Sequence, residues 1–520
     1  MSYPHSIAVA LLAMVAPSLL GAQAVPCHAS LEPVTLVGDA RFRLSQLRRV
    51  IGGHGDMLDD AVRCLPAAAG SSQAFQVRAV WPEIRGSWNG ALPDPGGEPG
   101  MWAGRGTNTL LSGGILVDYF HLHAALVPEG SRAQNAAFEI LPSDNPARSS
   151  FASPFYDGDV SMDLPLRMGA DPIAQLGMGQ SALWLTGGHL GAGWSASNQR
   201  WGPGLDGLVL GRNSSGIPRL FVRTETPVPT RVGEWSGAWF VGRLTESRFF
   251  DRDTSNDARY LSAVSLAWSP PGAPALAVGA VHAVMGRLES GSATARYGPA
   301  AFAGSAAGDA DEMTSLSVRV HVPSGGARAW VEVAHQGPLK LRELATAPLA
   351  GLGYRFGAER AVERTSGAWI FLTEVANVEQ SQDILDRPVH DFYAGSAAIQ
   401  GWTQRGQLLG DAIGPGGQSQ FLSGHWVAPR WRMGAYAERL RRNEDALFRQ
   451  YLPYANRHDV ELHGGLQAGY SAHGYELLLD ASAGKRLNYL FQNTDFIPNF
   501  RTVDVPLQQL RVTITPHLRH

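Results

Sequence analysis

Apolar and polar side chains alternate in short runs along most of this chain, from near residue 75 to the end of the sequence. In residues 318–322, for example, three valines alternate with Arg319 and His321. Residues two apart lie on the same face of a β-strand, so each such run predicts a strand with one apolar and one polar face. Similar runs occupy residues 75–81, 330–333, 431–438, 460–464 and 510–515, and they predict an all-β fold.

Two-faced strands separated by turns are typical of outer-membrane β-barrels, and also of soluble β-propellers and sandwiches. A propeller would show a repeat of about 40–50 residues, and the sequence shows none. Aromatic girdles mark the two interfaces of a membrane barrel, and tryptophans stand near the predicted strand ends at Trp184, Trp194, Trp235, Trp239, Trp268, Trp369, Trp402 and Trp426. At about 25 residues per strand and connection the chain gives about 18 strands. We therefore predict a large transmembrane antiparallel β-barrel over residues 73–520.

The first 24 residues predict export. Ile7 to Leu20 is apolar, and Ala22-Gln23-Ala24 matches the small-x-small cleavage pattern of a signal peptide, which we assign to residues 1–24. Beyond it no run of about 18 apolar residues occurs, so a crossing of the membrane has to use strands.

Residues 25–72 differ from the rest because their apolar residues recur at helical spacing. Asp39 can cap a helix that ends at Gly52-Gly53, and a second short helix ends before Pro66. The apolar faces carry Leu44, Leu47, Val50 and Ile51 in the first helix and Leu58, Ala61, Val62 and Leu65 in the second. We predict a small N-terminal helical segment in the periplasm over residues 25–72.

Cys27 and Cys64 are the only cysteines, and an exported chain carries both into an oxidising compartment. We predict a disulfide between them, closing a loop of about 38 residues that contributes about 4 kcal/mol in the chain-entropy description. The alternative is a pair of unpaired thiols. No pair of histidines at ligand spacing accompanies them, so zinc is not predicted.

The charge composition excludes one class of partner and suggests another. The net charge of −3 argues against a nucleic-acid partner, which requires a basic face. Lys340 and Lys485 are the only lysines, so nearly all positive charge is arginine. Genomic codon bias is the simpler explanation of this excess of arginine. The functional alternative is a lumen or mouth rich in guanidinium groups, which would suit acidic sugars or phosphates.

Five segments in a fixed order resemble a known family. The most distinctive is Asn198–Gly204 (NQRWGPG), followed by Leu208–Asn213 (LVLGRN). The other four are Trp102–Asn108, Phe250–Asp253, His282–Arg287, and His390–Tyr393 with Gly401–Gly406 and Leu409-Gly410. These segments resemble the Wzi family of outer-membrane capsule assembly proteins. The resemblance runs from about residue 75 to the end of the sequence.

The resemblance implies an 18-stranded barrel with periplasmic helices that binds exported capsular polysaccharide at the cell surface without catalysis. It also implies an outer-membrane location and three kinds of partner: surface polysaccharide, outer-membrane lipid and the barrel insertion machinery. One departure concerns that machinery, which usually reads a terminal aromatic residue. This chain ends in Pro516-His517-Leu518-Arg519-His520 instead.

Four residues are candidates for contact with the glycan. Arg200, Trp201, Trp402 and Arg405 combine indole rings, which stack on sugar C–H groups, with guanidinium groups, which can clamp a uronate carboxylate. Gly202, Pro203 and Gly204 favour a tight turn after Trp201. The alternative is that the tryptophans pack inside the barrel and the glycines serve a bend.

Catalysis, metal binding and cofactors are not predicted. Asp251–Asp257 places oxygen side chains at alternate positions as calcium loops do, but Asn256 replaces the sixth-position glycine and Ser262 the final glutamate. No nucleophile elbow, zinc-helix or phosphate-loop motif occurs. Paired carboxylates such as Asp309, Asp311 and Glu312 could hydrolyse glycosides, but their Gly/Ala/Asp-rich surroundings predict a solvated loop. The leading hypothesis is a barrel that binds surface polysaccharide; the alternatives are a substrate-selective porin and a secreted soluble β-protein acting on glycans.

Overall fold

The alternating segments close into one antiparallel barrel. The computed structural model describes residues 28–30, 63–65, 75–94, 100–273, 275–288, 297, 300–303, 310–322, 326–338, 346, 350–380, 391–428, 430–451, 457–472, 475–492 and 502–516. The barrel strands are β1 (Phe75–Asn89), β2 (Gly106–Tyr119), β3 (Leu122–Leu126 and Glu129–Ala133), β4 (Ile173–Gly177 and Ala182–Gly187), β5 (Leu190–Ser195), β6 (Arg219–Thr224 and Val228–Thr230), β7 (Gly233–Thr245), β8 (Ala258–Ser269), β9 (Leu276–Arg287), β10 (Asp311–Val322), β11 (Ala327–Gln336), β12 (Leu352–Arg364), β13 (Gly367–Asn377), β14 (Gln418–Val427), β15 (Trp431–Arg442), β16 (Asp459–Ala472), β17 (Tyr475–Leu487) and β18 (Val505–Pro516).

The prediction of about 18 strands is confirmed. β3, β4 and β6 are each interrupted once, and the two segments of each continue the same position in the barrel. The last strand closes on the first, with Gln509 opposite Asn89 and Ile514 opposite Ile84. Closure leaves no free strand edge, which is the condition for crossing a bilayer with strands.

The two ends of the barrel differ in the length of their connections. At one end, which we call the short-turn end, β2 meets β3 across residues 120–121 and β12 meets β13 across residues 365–366. At the other, the long-loop end, β3 leads to β4 across 134–172, β5 to β6 across 196–218, and β13 to β14 across 378–417. β1 begins and β18 ends at the short-turn end.

The wall is apolar outside because successive side chains on a strand point to opposite faces. In β13 the outward Trp369 is 42% exposed, whereas its neighbour Ile370 is 3% exposed. An outward aromatic band surrounds the short-turn end, with ring centroids 6.0 Å apart for Trp235 and Trp268, 5.3 Å for Trp369 and Trp426, and 4.4 Å for Trp431 and Tyr470. Amphipathic rings favour a membrane interface, so this band is one girdle of a membrane barrel.

Two of the tryptophans predicted for the girdles lie on the lumen side of the wall. Trp184 belongs to the inward face of β4 and is buried, and Trp402 lies within the lumen. Both stand near strand ends in the sequence, but the position of a residue along a strand does not determine which face of the wall it occupies.

The N-terminal segment pairs as strands where it is described. His28–Ser30 lies antiparallel to Arg63–Leu65, with Ala29 opposite Cys64. The prediction that Arg63–Leu65 belongs to a helix is therefore wrong, because these residues pair with a distant segment. The rest of 25–72 lies outside the described residues, as do residues 1–24 and Cys27, so the first helix, the signal peptide and the disulfide stay predictions.

The described helical segments are single turns: Gly158–Val160, Ala300–Ala303, Glu444–Ala446, Leu447–Tyr451 and Tyr489–Phe491. None of the helices in this part of the chain has the length and apolar character needed to cross a membrane.

Candidate functional site

Three connections from the long-loop end turn into the lumen and pack there. We call residues 134–172, 196–218 and 391–417 the plug. Its core is aromatic, and six of its side chains are 3% exposed or less: Phe155, Tyr156, Trp201, Phe392, Tyr393 and Trp402. They share one hydrophobic core with inward wall residues such as Phe240, Leu261 and Met313. The lumen therefore holds a packed core of the kind found in a globular domain.

The NQRWGPG motif forms part of this core. The backbone N–H of Trp201 donates to the carbonyl of Leu210 at 2.9 Å. The Trp201 ring centroid lies 5.2 Å from that of Phe240 on β7. Gly204 faces the wall so closely that an added Cβ would overlap Glu374 Oε2 and Arg355 Cδ. The glycine is needed because the backbone of the plug touches the charged groups of the wall.

A buried ion network joins the plug to the wall at this point. Arg355 of β12 and Glu374 of β13 form a pair, with Nη1 and Oε1 2.6 Å apart. Glu374 Oε2 accepts the backbone N–H of Leu205 at 2.9 Å, and Arg355 also pairs with Asp411. Arg355 and Glu374 of the wall therefore pair with each other, and each also bonds to a residue of the plug. Charge-assisted hydrogen bonds of this kind are stronger than neutral ones.

Two plug segments dock on each other beside the network. The indole N–H of Trp402 donates to the carbonyl of Val209 at 2.8 Å, and the Tyr393 hydroxyl donates to the carbonyl of Leu208 at 2.9 Å. The Asp411 N–H donates in turn to the Tyr393 hydroxyl at 2.9 Å. The segments that contain Trp201 and Trp402 therefore meet inside the plug.

The structure places three of the four predicted glycan-contact residues inside. Trp201 and Trp402 are buried in the plug core, and Arg200 is buried with its guanidinium donating to the carbonyl of Gly204. Arg405 alone is exposed, on the turn of a hairpin formed by Thr403–Gln404 and Gln407–Leu408. Packing accounts for the positions of the three buried residues. Contact with a glycan stays a prediction, and Arg405 is the candidate whose side chain lies in water.

Other side chains surround Arg405 at the long-loop mouth. The backbone N–H of Arg405 donates at 2.8 Å to the carbonyl of Thr245, which is the last residue of β7. The loop after β7, residues 246–257, carries the exposed Arg248 and the half-buried Phe249. The ring centroid of Phe249 lies 5.8 Å from that of Phe151, and the two rings meet edge to face. We call Phe151, Arg248, Phe249 and Arg405 the mouth patch. Sequence reasoning missed Phe151, Arg248 and Phe249, because none of them lies in the motif of Arg405 and the loop contacts that bring them to it are not local in the sequence.

The loop after β7 is tied to the plug through Glu246. Gln400 Nε2 donates to Glu246 Oε2 at 2.6 Å and to Asn256 Oδ1 at 2.8 Å. Burial raises the pKa of Glu246 to about 8; the hydrogen bond from Gln400 opposes the shift and the nearby Asp251 and Asp163 add to it. A neutral carboxyl group thus helps hold the loop against the plug near neutral pH.

The acidic segments noted in the sequence serve local structure. Asp253 Oδ1 accepts the Ser255 N–H at 2.9 Å, and hydrogen bonds from Ser255 lower the pKa of Asp253. No group of three or more potential metal ligands occurs among the described residues.

The interpretation of Asp311 and Glu312 as solvated loop is wrong, because both belong to β10 and are buried. Asp311 faces the plug, where its Oδ2 accepts the Ala398 N–H at 2.9 Å. Adjacent residues on a strand point to opposite faces, so these two carboxylates do not flank a common bond as a glycosidase pair must.

Comparisons with known proteins address the fold. No family model matches the chain, and no curated protein matches it. Among solved structures the chain is similar to Wzi of Escherichia coli, described as an outer-membrane protein involved in group 1 capsule assembly and a carbohydrate-binding β-barrel. The TM-score is 0.55 at 11% identity, covering 84% of this chain and 85% of that one.

Two further solved structures align less closely. OccAB2 of Acinetobacter baumannii has a TM-score of 0.43 at 11% identity, covering 84% of this chain and 96% of that one. OprD of Pseudomonas aeruginosa has a TM-score of 0.38 at 8% identity, covering 85% and 96%. At these identities the likeness shows the fold and does not show membership of the Wzi family.

The fold and its outward face together locate the protein. A closed ladder of 18 antiparallel strands carries exposed apolar side chains outside and an aromatic girdle at one end. Such a surface is stable in contact with lipid, and closed barrels and helices are the structures that satisfy their backbone hydrogen bonds there. Wzi, to which the chain is similar in fold, is described as an outer-membrane protein. The chain is an 18-stranded antiparallel β-barrel of the outer membrane.

Proposed function

We propose that this barrel binds surface polysaccharide at its extracellular mouth and holds it there without catalysis. In outer-membrane barrels the long loops face outward and the short turns face the periplasm, so the mouth patch lies on the cell surface. The partners we propose are the surface polysaccharide, the lipid of the outer membrane and the machinery that inserts the barrel.

The filled lumen is the observation that carries this proposal. A barrel of 16–18 strands is wide enough to leave an aqueous channel, and a porin uses that space for passage. Here the space holds a core that includes Trp201, Phe392 and Trp402 and is bonded to the wall at Glu374. A large polymer therefore meets loops at the mouth, where Arg405 is exposed. The likeness in fold to a carbohydrate-binding barrel supports the same proposal.

The experiment compares retention with conductance on the same folded protein. Full-length protein in detergent would be passed over immobilised polysaccharides, both acidic and neutral, and reconstituted in planar bilayers, with heat-unfolded protein as the control. We expect retention of at least one polysaccharide and little steady current. A steady current without retention of any polysaccharide would contradict the proposal and favour a substrate-selective porin.

A further inference from the structure

We propose that the mouth patch, formed by Phe151, Arg248, Phe249 and Arg405, is a binding site for a carboxylate-bearing polysaccharide. This inference rests on the proposed function and names both the glycan class and the place where it binds.

Two guanidinium groups supply the charge. Arg248 and Arg405 are exposed, and within the described residues neither side chain has a hydrogen bond, ion pair or ring contact. Their backbones are held together, because the Arg405 N–H donates to Thr245 at 2.8 Å and Gly406 packs against Ser247. Free guanidinium groups on a fixed backbone suit the planar carboxylate of a uronic acid, which they can bind through paired hydrogen bonds.

Two carboxylates in the same loops, Asp163 and Glu246, are turned inward. Asp163 is buried and accepts the Ser247 N–H at 2.7 Å and its hydroxyl at 2.5 Å. Glu246 is buried and accepts from Gln400 at 2.6 Å. Two further carboxylates of the loop after β7 have partners of their own: Asp253 accepts the Ser255 N–H at 2.9 Å and its hydroxyl at 2.6 Å, and Asp251 pairs with Arg148 at 3.9 Å. None of these four described carboxylates pairs with Arg248 or Arg405.

The backbone at Arg405 points to a role other than turn formation. Thr403 pairs with Leu408 and Gln404 with Gln407, which leaves Arg405-Gly406 as a two-residue hairpin turn. Both turn residues have positive φ, 51° at Arg405 and 77° at Gly406. Such turns favour Asn-Gly or Gly-Gly, because a side chain larger than asparagine is disfavoured at positive φ. An arginine there is a local disadvantage to the turn, which agrees with selection for its guanidinium.

Two aromatic rings complete the patch. Phe151 and Phe249 are half-buried and meet edge to face, and a Cβ added at Gly169 would lie 2.7 Å from the Phe249 ring. The Phe151 carbonyl accepts the Leu166 N–H at 2.9 Å, so its backbone is fixed as well. Rings held in place lose little conformational entropy when a sugar stacks on them.

The location favours a free polysaccharide over lipopolysaccharide anchored in the outer leaflet. Arg405 lies on a plug hairpin inside the rim, and Phe151 lies in the plug connection 134–172. Neither belongs to the outward, lipid-facing side of a strand, where an anchored lipid would bind.

The test uses full-length folded protein and the variants Arg405→Asn, Arg248→Gln and the double variant. Asparagine suits positive φ, so Arg405→Asn removes the guanidinium while it favours the turn. Arg231→Gln is the matched control, because Arg231 is exposed in the turn between β6 and β7 at the short-turn end. The probes are alginate, pectate and hyaluronate, their carboxyl-reduced forms, neutral dextran, and purified lipopolysaccharide.

We expect the wild-type protein and Arg231→Gln to retain an acidic polymer, and the double variant to bind it about tenfold more weakly while staying folded. Carboxyl reduction should abolish binding, and salt above about 0.1 M should weaken it. Phe249→Leu, which keeps an apolar side chain against Gly169, should weaken binding without changing its salt dependence.

Four outcomes would overturn the inference, and one of them also overturns the proposed function. Undiminished binding by the folded double variant would remove the patch from the site. Retention of neutral and acidic polymers alike would leave glycan binding in place and refute the preference for carboxylates. Binding of lipopolysaccharide alone would assign the patch to a lipid. Retention of none of these polysaccharides would contradict both the inference and the proposed function.

Discussion

At the scale of single residues, burial separates two sets of tryptophan that look alike in the sequence. Trp201 lies in the plug and is 1% exposed, whereas Trp431 lies on the outward girdle and is 49% exposed. The indole N–H of Trp201 has no hydrogen-bond partner within the described part of the chain. Trp201 therefore contributes through packing, and a smaller residue would leave a cavity at the centre of the lumen.

We expect Trp201→Ala to destabilise the folded protein by about 3–5 kcal/mol, the usual range for a large aromatic residue lost from a core. The temperature at which the folded band converts to the unfolded band on a detergent gel measures this. Trp431→Ala is the control and should shift that temperature less. Unchanged stability of Trp201→Ala together with lost polysaccharide retention would show that Trp201 contacts the glycan.

Glu246 gives the loop after β7 a dependence on pH. Its pKa is about 8 in the folded protein and near 4.5 when unperturbed, chiefly because the carboxyl group is buried. Folding therefore favours the protonated form. The stabilisation is fully present below about pH 4.5, decreases as the pH rises, and is lost once the pH passes about 8.

Glu246→Gln should remove this dependence while it keeps an oxygen that can accept from Gln400. We expect the conversion temperature of wild type to fall relative to that of the variant as the pH rises through this window. Parallel curves for the two proteins from about pH 5 to about pH 9 would contradict the assignment.

At the scale of elements, the plug is held by bonds to the wall as well as by its apolar core. Glu374 is the central group, because it pairs with Arg355 and accepts the backbone N–H of Leu205. Removal of one partner from a buried pair leaves an uncompensated charge, which typically destabilises a protein by about 3–5 kcal/mol. The segment 196–218 would lose an anchor at the same time.

We expect Glu374→Ala to loosen the plug, so that planar-bilayer conductance rises and proteolysis within 196–218 becomes faster. Glu359→Ala is a matched control. Glu359 of β12 forms a buried pair with Arg328 of β11 at 2.7 Å, and among the described residues it has no hydrogen bond to the plug. Both variants should lose stability, and only Glu374→Ala should gain conductance. Equal conductance in the two variants would show that Glu374 does not hold the plug.

At the scale of the whole molecule, the closed ladder and the packed lumen act together. Each strand forms backbone hydrogen bonds with both of its neighbours around the full circle, and Gln509 lies opposite Asn89 where the barrel closes. The plug joins parts of the wall that are six strands apart through one core, which includes Phe240 of β7 and Ala376 of β13. The barrel should therefore unfold as one cooperative unit.

We expect the mature chain to fractionate with the outer membrane and to migrate faster on detergent gels before boiling than after. The closed hydrogen-bonded ladder resists detergent at room temperature and opens on heating, which is the physical reason for the shift. Recovery of the chain as a soluble periplasmic monomer without detergent would contradict the assignment.

The wall of the barrel could be predicted from local sequence patterns. Strand pairing and the two-residue period decide locally which side chains face lipid, so the all-β class, the strand number and the start of the barrel near residue 75 could be predicted. The N-terminal segment shows the limit of local reasoning. Leu65 continues a helical spacing of apolar residues in the sequence, yet Arg63–Leu65 pairs as a strand with His28–Ser30.

Long-range contacts determine which connections enter the lumen and which residues stay in water, and local patterns did not predict them. Trp402 bonds to Val209 across 193 residues, and Glu374 bonds to Leu205 across 169. Trp201 and Arg405 were equally good candidates for glycan contact in the sequence, because neither motif shows whether its side chain is buried or exposed. The physical reason is that packing inside a barrel depends on contacts between distant loops, whereas the lipid-facing pattern is repeated within each strand.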